Sequence, residues 1–582
     1  MSQEDEPRRR RALGIAAALL AIGAAVALCY ADVWRAGMGE VVPVAQVPEG
    51  SPLRHTSRAD VTFEAWLAAR HAHTLLRRPW RLFDTEHCAP EEQTLTFGIP
   101  LVAMGVLAIP ASLVTQNPIA IYNATLALQS ALAALAVFAL VAAWTGRRAA
   151  GVVAALLFAF HPIRLAHITH PAEWDATWTA WALLFSERFF AHGRWRDALG
   201  LAAALAMLVA ASFYQLVSAA LLLPPFALWL LLRRDAGWLR RGAARPPLAR
   251  AAAVALLVVM AAALLLGPYL AARAGARIAE RPFFAFADWH LYAPGGALFL
   301  GFTLLALAVG GLIAPRRLAL PRIAGDPRIA LCAGAALVAF VAAGPDTSRN
   351  LQVLGLDVPA FDPHRALAAW VPGLDAVRGV LRLSSAVHLV ACVLAGAGAA
   401  ALQRLVGRHG TALGAALAAA ALLICFGIPP RPPAWRLEAI RPPPEQVAFF
   451  EQLALMQNAG PLLELPLDGA SGPTVSLGAS RILLTAWHGR RTSACFGSFI
   501  SPRRQELAVL GDALPAPEAV DALRSLGFTT VVLHHAPGTI GASLHVPAFE
   551  RGAASREPTL RALQRTDGLS AWELLPSPAG AR

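Results

Sequence analysis

The stretch that decides the fold is RADVTFEAWLAARHAHTLLRRPWRLFDTEHCAPEEQTLTFGIP, residues Arg58–Pro100. It is the long polar segment of an otherwise apolar chain, and it follows closely after the first apolar run, Ala12–Tyr30. Its titratable side chains include Asp60, Glu64, His71, His73, Asp84, Glu86 and His87. A membrane protein that collects so many such groups on one side of the bilayer is expected to bind a charged ligand or to carry out chemistry there.

The composition indicates a polytopic membrane protein. The chain has 582 residues, of which 57% are hydrophobic and 15% charged, whereas about 25% would be charged in a soluble domain. The net charge of +13 could suggest nucleic acid as a partner. The basic residues, however, cluster between apolar segments, as the positive-inside rule predicts for cytoplasmic loops. We therefore expect the basic residues to lie beside the lipid bilayer, and we expect no nucleic-acid partner.

The N-terminus predicts an uncleaved first helix. Its apolar run is too long for the core of a signal peptide, and no convincing cleavage site follows it. Arg8–Arg11 would then stay in the cytoplasm. Arginine-rich, Ala- and Gly-rich composition is typical of bacteria with GC-rich genomes, so we expect a multi-pass protein of the bacterial inner membrane.

Eleven apolar segments are expected to span the membrane, with the N-terminus inside and the C-terminus outside. They lie at residues 12–30, 119–144, 149–165, 176–191, 198–212, 216–232, 251–271, 297–314, 329–343, 385–402 and 411–428. Phe97–Val114 is also apolar, but if it spanned, every later arginine-rich loop would face outward. We therefore expect it to lie along the outer surface. The Gly- and Ala-rich run ACVLAGAGAAAL (391–402) predicts close helix packing.

The composition changes after residue 428. We predict a transmembrane domain at 1–428, with a long first outer loop at 33–118, then a proline-rich linker at 429–435 and an α/β domain at 436–582 outside the membrane. PLLELPL (461–467), FTTVVLHH (528–535) and LSAWELLP (569–576) are typical of strands, and PAPEAVDALRSLG (515–527) of a helix. Cys88 and Cys495 would both face an oxidising compartment, and their spacing alone leaves open whether they pair.

Several short motifs, taken in order, resemble those of the GT-C superfamily of integral-membrane glycosyltransferases. More narrowly, they resemble a set of large bacterial glycosyltransferase-like multi-span proteins with an outer α/β tail. The motifs are Ala59-Asp60, Leu82-Phe83-Asp84 with Pro90, Phe160-His161-Pro162-Ile163-Arg164, His167-Ile168-Thr169-His170, Ser212-Phe213-Tyr214, and Pro372-Gly373 with Arg378 and Arg382. Two positions depart from the family pattern. Ala59 stands where the family usually has Gly, and Gln215 follows Tyr214 where Gly is expected. The resemblance implies a first outer loop with an essential carboxylate and two helices on the membrane surface.

The resemblance implies Asp60 as the catalytic base; the alternative is an exposed loop aspartate or a helix cap. Arg378 and Arg382 suit a phosphate contact, or else they extend to lipid headgroups. The remaining candidates for substrate binding are His167, His170, Glu173, Asp175 and Tyr214. The histidines could instead be structural, the two carboxylates could be solvated loop residues, and Tyr214 and Trp174 could belong to an interfacial aromatic belt.

The expected function is an inverting transfer of a sugar from a polyprenyl-phosphate-linked donor to a cell-envelope glycan, lipid or protein on the outer face of the inner membrane. No organic cofactor is expected, and two histidines alone do not make a metal site, although a divalent metal is not ruled out. The alternatives are a transporter or flippase for a lipid-linked precursor and an assembly factor that works through its outer domain. Nearly carboxylate-free spans without internal symmetry disfavour a transporter.

Overall fold

The computed structural model describes residues 5–47, 51, 53–232, 245–274, 279–280, 285–348, 352, 359–371, 374, 377–426, 435–456, 460–467, 473–535, 547, 549–551, 554 and 558–576. The Pro372-Gly373 motif and residues 429–434 of the predicted linker lie outside these residues. The chain divides into two compact units. The first comprises residues 1–36, 125–267 and 283–436, and the second residues 37–124, 268–282 and 437–582.

The protein is mainly helical. The helices up to residue 426 are α1 (Asp5–Ala36), α2 (Leu53–Arg77), α3 (Val102–Ser112), α4 (Pro118–Thr145), α5 (Arg148–Ala159), α6 (Pro162–Leu165), α7 (Thr177–His192), α8 (Trp195–Ala211), α9 (Phe213–Leu232), α10 (Arg245–Ala274), α11 (Phe302–Ile313), α12 (Arg316–Ala319), α13 (Arg328–Ala343), α14 (Pro363–Ala368), α15 (Ser385–Leu405) and α16 (Gly410–Phe426). A helix lies at each of the eleven predicted spans.

Eight helical segments of the described residues are long and apolar enough to cross a membrane. They are Ala12–Ala36, Pro118–Thr145, Arg148–Leu165, Phe213–Leu232, Leu248–Ala274, Arg328–Asp346, Val380–Leu405 and Gly407–Phe426. The other three predicted spans correspond to α7, α8 and α11, which have 16, 17 and 12 residues. The count of eleven and the orientation stay predictions.

Helix α3 has only 11 residues, a length of about 16 Å against about 30 Å of hydrocarbon in a bilayer. Its length alone therefore falls short of the bilayer, as does that of α11, and the surface position expected for Phe97–Val114 stays a prediction. In the first unit, α15 is buried along most of its length and lies against α11. A Cβ atom at Gly311 would overlap the carbonyl oxygen of Leu394, so the two helices approach through small residues as the 391–402 run predicts.

The second unit contains the first long loop and the tail. Helix α2 packs against α3 and against α18 (Pro473–His488), and the indole of Trp66 donates a hydrogen bond of 2.7 Å to Thr485 Oγ1. A disulfide joins Cys88 to Cys495, across 407 residues of sequence. The predicted domain boundaries at residues 428 and 436 stay a prediction.

The tail is a small α/β layer. Its further helices are α17 (Pro444–Ala454), α19 (Arg504–Ala513) and α20 (Pro517–Ser525). A four-stranded sheet has the order β4 (Leu462–Leu465), β6 (Thr530–His534), β8 (Leu569–Leu574) and β7 (Leu560–Arg565), with β4 and β6 parallel and the other pairs antiparallel. The short strands β1 (Val41–Ala45) and β3 (Trp435–Ala439) pair, as do β2 (Ala279–Glu280) and β5 (Phe499–Ile500). The three predicted tail strands and the predicted helix are confirmed.

Candidate active site

The short helix α6 anchors the polar cluster of the first unit. His161 accepts a hydrogen bond from the backbone N–H of Ile163 at 3.3 Å and so caps the helix, and Pro162 occupies its first turn, where a missing N–H costs nothing. The next turns fold back, so that Arg164 donates to Asp175 over 2.8 Å. The two side chains are only 9% and 1% exposed. This ion pair closes the segment that carries His167, His170 and Glu173.

The carboxylate of Asp175 is fully engaged. Besides Arg164, it accepts from the backbone N–H of Thr177 at 3.1 Å, from the Thr177 hydroxyl at 2.6 Å and from the amide of Gln129 at 3.1 Å. The bond to the Thr177 N–H satisfies one of the orphan donors at the start of α7. Asp175 is therefore a buried structural anion that holds the turn between α6 and α7, and not a solvated loop residue.

Glu173 forms the second ion pair of the cluster. Its buried carboxylate contacts the guanidinium of Arg382, whose side chain is 22% exposed. That guanidinium also lies over the ring of Tyr214, 5.5 Å from the ring centroid, and the Tyr214 hydroxyl accepts from the N–H of Gly379 at 3.1 Å. Arg382, Glu173 and Tyr214 are therefore brought together. Tyr214 is buried, so it does not face a lipid interface as a belt residue would.

His167 and His170 lie half-buried on the turn after α6. The imidazole of His167 stacks on the buried Trp174 at 3.9 Å between centroids, and its Nδ1–H donates to the carbonyl of Ile163 at 2.8 Å. Burial lowers the pKa of His167 to about 4, and burial together with Arg382 holds the pKa of His170 well below 6.5. Both rings are neutral at pH 7, so the positive charge for an anionic ligand must come from arginine.

Arg378 lies four residues before Arg382 on the segment that leads into α15, and it is half-buried. Its carbonyl accepts from the N–H of Ala285, which fixes the backbone of this segment. The first unit thus has two arginines on one short segment, and the guanidinium group of Arg382 lies near enough to His167 and His170 to lower the pKa of each. Such a set can bind a phosphate through charge-assisted hydrogen bonds and contact neighbouring hydroxyl groups.

An apolar cavity of about 540 Å³ adjoins α6. It is lined by His161, Pro162, Ile163 and Ala166, and by residues 296–297 and 299–304 with Ile424. Ile163 lines this cavity and also holds His167 through its carbonyl group. The volume lies in the usual range for small-molecule sites, and the lining suits a hydrocarbon chain.

Asp60 belongs to the second unit. It is half-buried and lies two turns into α2, so it does not cap that helix. Glu64 follows one turn later on the same face; it is buried and accepts a hydrogen bond from the Tyr122 hydroxyl at 3.3 Å. The carboxylate singled out in the sequence therefore has a second carboxylate next to it on the helix.

Three residues of these sites carry no role in the sequence-based prediction: Gln129, Arg164 and Glu64. Gln129 is a polar side chain in an apolar span, which by itself marks a functional or structural contact. Arg164 ends the Phe160–Arg164 motif, and only its partner at Asp175 shows what it does. Among the described residues, no group of three or more His, Cys, Asp or Glu side chains is placed to hold a metal ion.

The backbone resembles the cryo-EM structure of the arabinofuranosyltransferase AftD from Mycobacteria, with 15% identity and a TM-score of 0.51. The alignment covers 98% of this chain and 40% of AftD, so the chain spans about two-fifths of the length of that protein. ArnT from Cupriavidus metallidurans bound to undecaprenyl phosphate aligns over 97% of both chains with 12% identity and a TM-score of 0.43, and no conclusion rests on it. No protein-family model and no curated protein matches the chain. The chain is an integral membrane protein with the GT-C fold, in agreement with the order of its sequence motifs.

Proposed function

We propose that the protein is an inverting glycosyltransferase that uses a polyprenyl-phosphate-linked sugar. The acceptor is a cell-envelope glycan, lipid or protein on the outer face of the bacterial inner membrane, where the C-terminal domain also lies. An acceptor hydroxyl attacks the anomeric carbon of the sugar while the bond from that carbon to the phosphate oxygen breaks. The electron pair leaves with the polyprenyl phosphate, and the hydroxyl proton passes to the carboxylate of Asp60.

The observation that carries the proposal is the polar cluster of the first unit in a GT-C fold. Arg378 and Arg382 supply positive charge for a leaving phosphate, while His167 and His170 are neutral and suit hydrogen bonds to hydroxyl groups. The apolar cavity beside α6 offers space for the lipid part of the donor. A ligand that carries both a charged headgroup and a hydrocarbon chain matches the polar cluster together with the apolar cavity.

Glu173 and Asp175 take positioning roles in this account. Each lies against a guanidinium group, Glu173 against Arg382 and Asp175 against Arg164. Glu173 holds the guanidinium group of Arg382 over the ring of Tyr214. Less side-chain entropy of Arg382 is therefore lost when the donor binds. The proposal assigns proton transfer to Asp60 and not to either of these carboxylates.

The test is an assay of purified protein in nanodiscs with a panel of polyprenyl-phosphate sugars and extracted envelope acceptors, read by mass spectrometry. Replacing Arg382 by Lys keeps the charge beside Glu173 but removes the planar fork of donors. We expect the KM for the donor to rise about 10- to 100-fold, as for the loss of one charged hydrogen bond. Arg408→Lys, on an exposed guanidinium, is the matched control and should leave the KM unchanged.

Two outcomes would contradict the proposal. An unchanged KM for Arg382→Lys would remove Arg382 from the donor site. Movement of the lipid across vesicle membranes without a new glycosidic bond would favour a flippase instead.

A further inference from the structure

A second pocket lies in the unit formed by the first loop and the tail, at the C-terminal end of α2. Its volume is about 560 Å³. We call it the arginine pocket, and it is lined by Arg70, His73, Thr74, Arg77, Arg78, Arg81, Asp84, Thr85, Glu86, Glu92, Gln93, Gly489 and Arg491. The proposed glycosyl transfer uses none of these residues.

Two of its arginines hold the wall of the pocket together. Arg70, whose side chain is 9% exposed, pairs with Glu86 at 3.0 Å and donates to the carbonyl of Leu82 at 2.6 Å. Arg491 donates to the carbonyl of Glu91. These guanidinium groups are committed to the protein, and they fix the loop that follows α2.

The other three arginines differ. The side chains of Arg77, Arg78 and Arg81 are exposed, and within the part of the chain that the structure describes they make neither a hydrogen bond nor an ion pair. An unpaired arginine keeps five N–H donors available for an anion. Three of them within five residues concentrate positive charge at one mouth of the pocket.

The charge and the polarity of the lining indicate the class of ligand. The lining has five arginines and three carboxylates, a surplus of two positive charges, and a phosphate monoester carries about −1.5 to −2 at pH 7. His73, Thr74 and Gln93 add hydroxyl, amide and imidazole groups. Such groups suit the hydroxyls of a sugar.

The pocket is built before any ligand binds. Its loop wall is joined to the tail by the disulfide between Cys88 and Cys495. The N–H groups of Cys88 and Ala89 donate to the carbonyls of Ala494 and Thr492, each at 2.8 Å, and the N–H of Thr492 donates to Glu86 at 2.7 Å. A wall fixed in this way lowers the entropic cost of binding.

The arginine pocket is also separate from the proposed base. Asp60 and Arg77 lie on the same helix, α2, and a rise of 1.5 Å per residue separates them by about 25 Å along its axis. A phosphate in the arginine pocket is therefore too far from Asp60 to be the leaving group of the transfer.

We propose that the arginine pocket binds a saccharide that carries a phosphate group. Arg77, Arg78 and Arg81 contact the phosphate, and His73, Thr74 and Gln93 contact the sugar hydroxyls. The site is a binding site only, and it goes beyond the proposed transfer because its occupancy does not require Asp60.

The experiment is calorimetric titration of the full chain in phosphatidylcholine nanodiscs with glucose 6-phosphate, glucose and glucuronate. Glucose 6-phosphate should bind at least 10-fold more tightly than either of the others, and its affinity should fall as salt rises. Arg77→Gln combined with Arg81→Gln should weaken it at least 10-fold, since two charge-assisted contacts are lost. Arg503→Gln, on an exposed arginine outside the pocket, is the control and should bind as the wild type does.

Equal binding by the double variant, or no preference for the phosphate over glucuronate, would overturn the proposal. Binding that requires phosphatidylglycerol in the nanodisc would also overturn it, because the phosphate would then belong to a lipid headgroup. Asp60→Asn should leave the titration unchanged, so a failure here is distinguishable from a failure of the proposed transfer.

Discussion

The buried pair of Arg164 and Asp175 gives the sharpest structural prediction. The sequence placed Asp175 among the substrate-binding candidates, whereas the structure shows its carboxylate engaged by Arg164, Gln129 and Thr177. If that arrangement is structural, removing Arg164 should destabilise the first unit strongly. We expect Arg164→Met to leave the Asp175 anion without its charged partner at 1% exposure.

The expected size follows from the burial of both groups. Removing one partner of a buried ion pair costs about 3–5 kcal/mol, because the remaining charge is uncompensated. The double variant Arg164→Met with Asp175→Asn removes both charges and keeps a side-chain oxygen that accepts from Thr177, so it should recover part of that loss. The coupling free energy between the two positions should therefore be large.

The assay is reversible unfolding in mixed micelles, which yields the free energy of unfolding of each variant. Arg35→Met is the matched control, because Arg35 pairs with Asp32 at 2.7 Å on the same unit but with side chains 77% and 65% exposed. It should cost less than about 1 kcal/mol. A cost for Arg164→Met no larger than that of the control, or a double variant less stable than the single one, would refute the structural role.

Two further predictions concern the second unit. The tail should lose stability as pH falls. Burial and the charge of Arg481 lower the pKa of His534 to about 4. The hydrogen bond of 2.7 Å between His534 and Glu464 helps to hold the pKa of Glu464 at about 2. The unfolded chain takes up the histidine proton between pH 6.5 and 4 and the glutamate proton between pH 4.5 and 2, so acidification through both windows favours unfolding. Amide exchange in β6 measures this, and His534→Gln should reduce the stability lost in the upper window, because its own proton uptake no longer contributes. Gly105→Ala should cost about 1–3 kcal/mol, because its Cβ would overlap that of His71 where α2 meets α3; unchanged unfolding in micelles would show that this contact relaxes freely.

The positions of the helices and strands could be predicted from the sequence, whereas most contacts between them could not. Apolar runs of membrane-spanning length and local strand and helix patterns mark where the helices and the tail elements lie, because these depend on residues close in sequence. The helix expected at 297–314 begins only at Phe302, since helix ends depend on capping and packing. Hydropathy alone does not determine whether a helix as short as α11 crosses the bilayer.

The contacts between distant residues could not be predicted. Trp66 meets Thr485 across 419 residues, and Cys88 meets Cys495 across 407. No local pattern encodes such pairs, so the packing of the first loop with the tail, and the arginine pocket that it walls, emerged only from the fold. The same holds for Asp175, whose partner Gln129 is 46 residues away.

The central claim is that Asp60 is the base of a glycosyl transfer. The direct measurement is the rate of formation of the new glycosidic bond by the purified protein and by its Asp60→Asn variant, with the polyprenyl-phosphate sugar that the wild type accepts. Asparagine has nearly the shape of aspartate but cannot take the proton, so kcat should fall about 100- to 10,000-fold while donor binding and the unfolding curve stay unchanged. Full activity of Asp60→Asn would contradict the account.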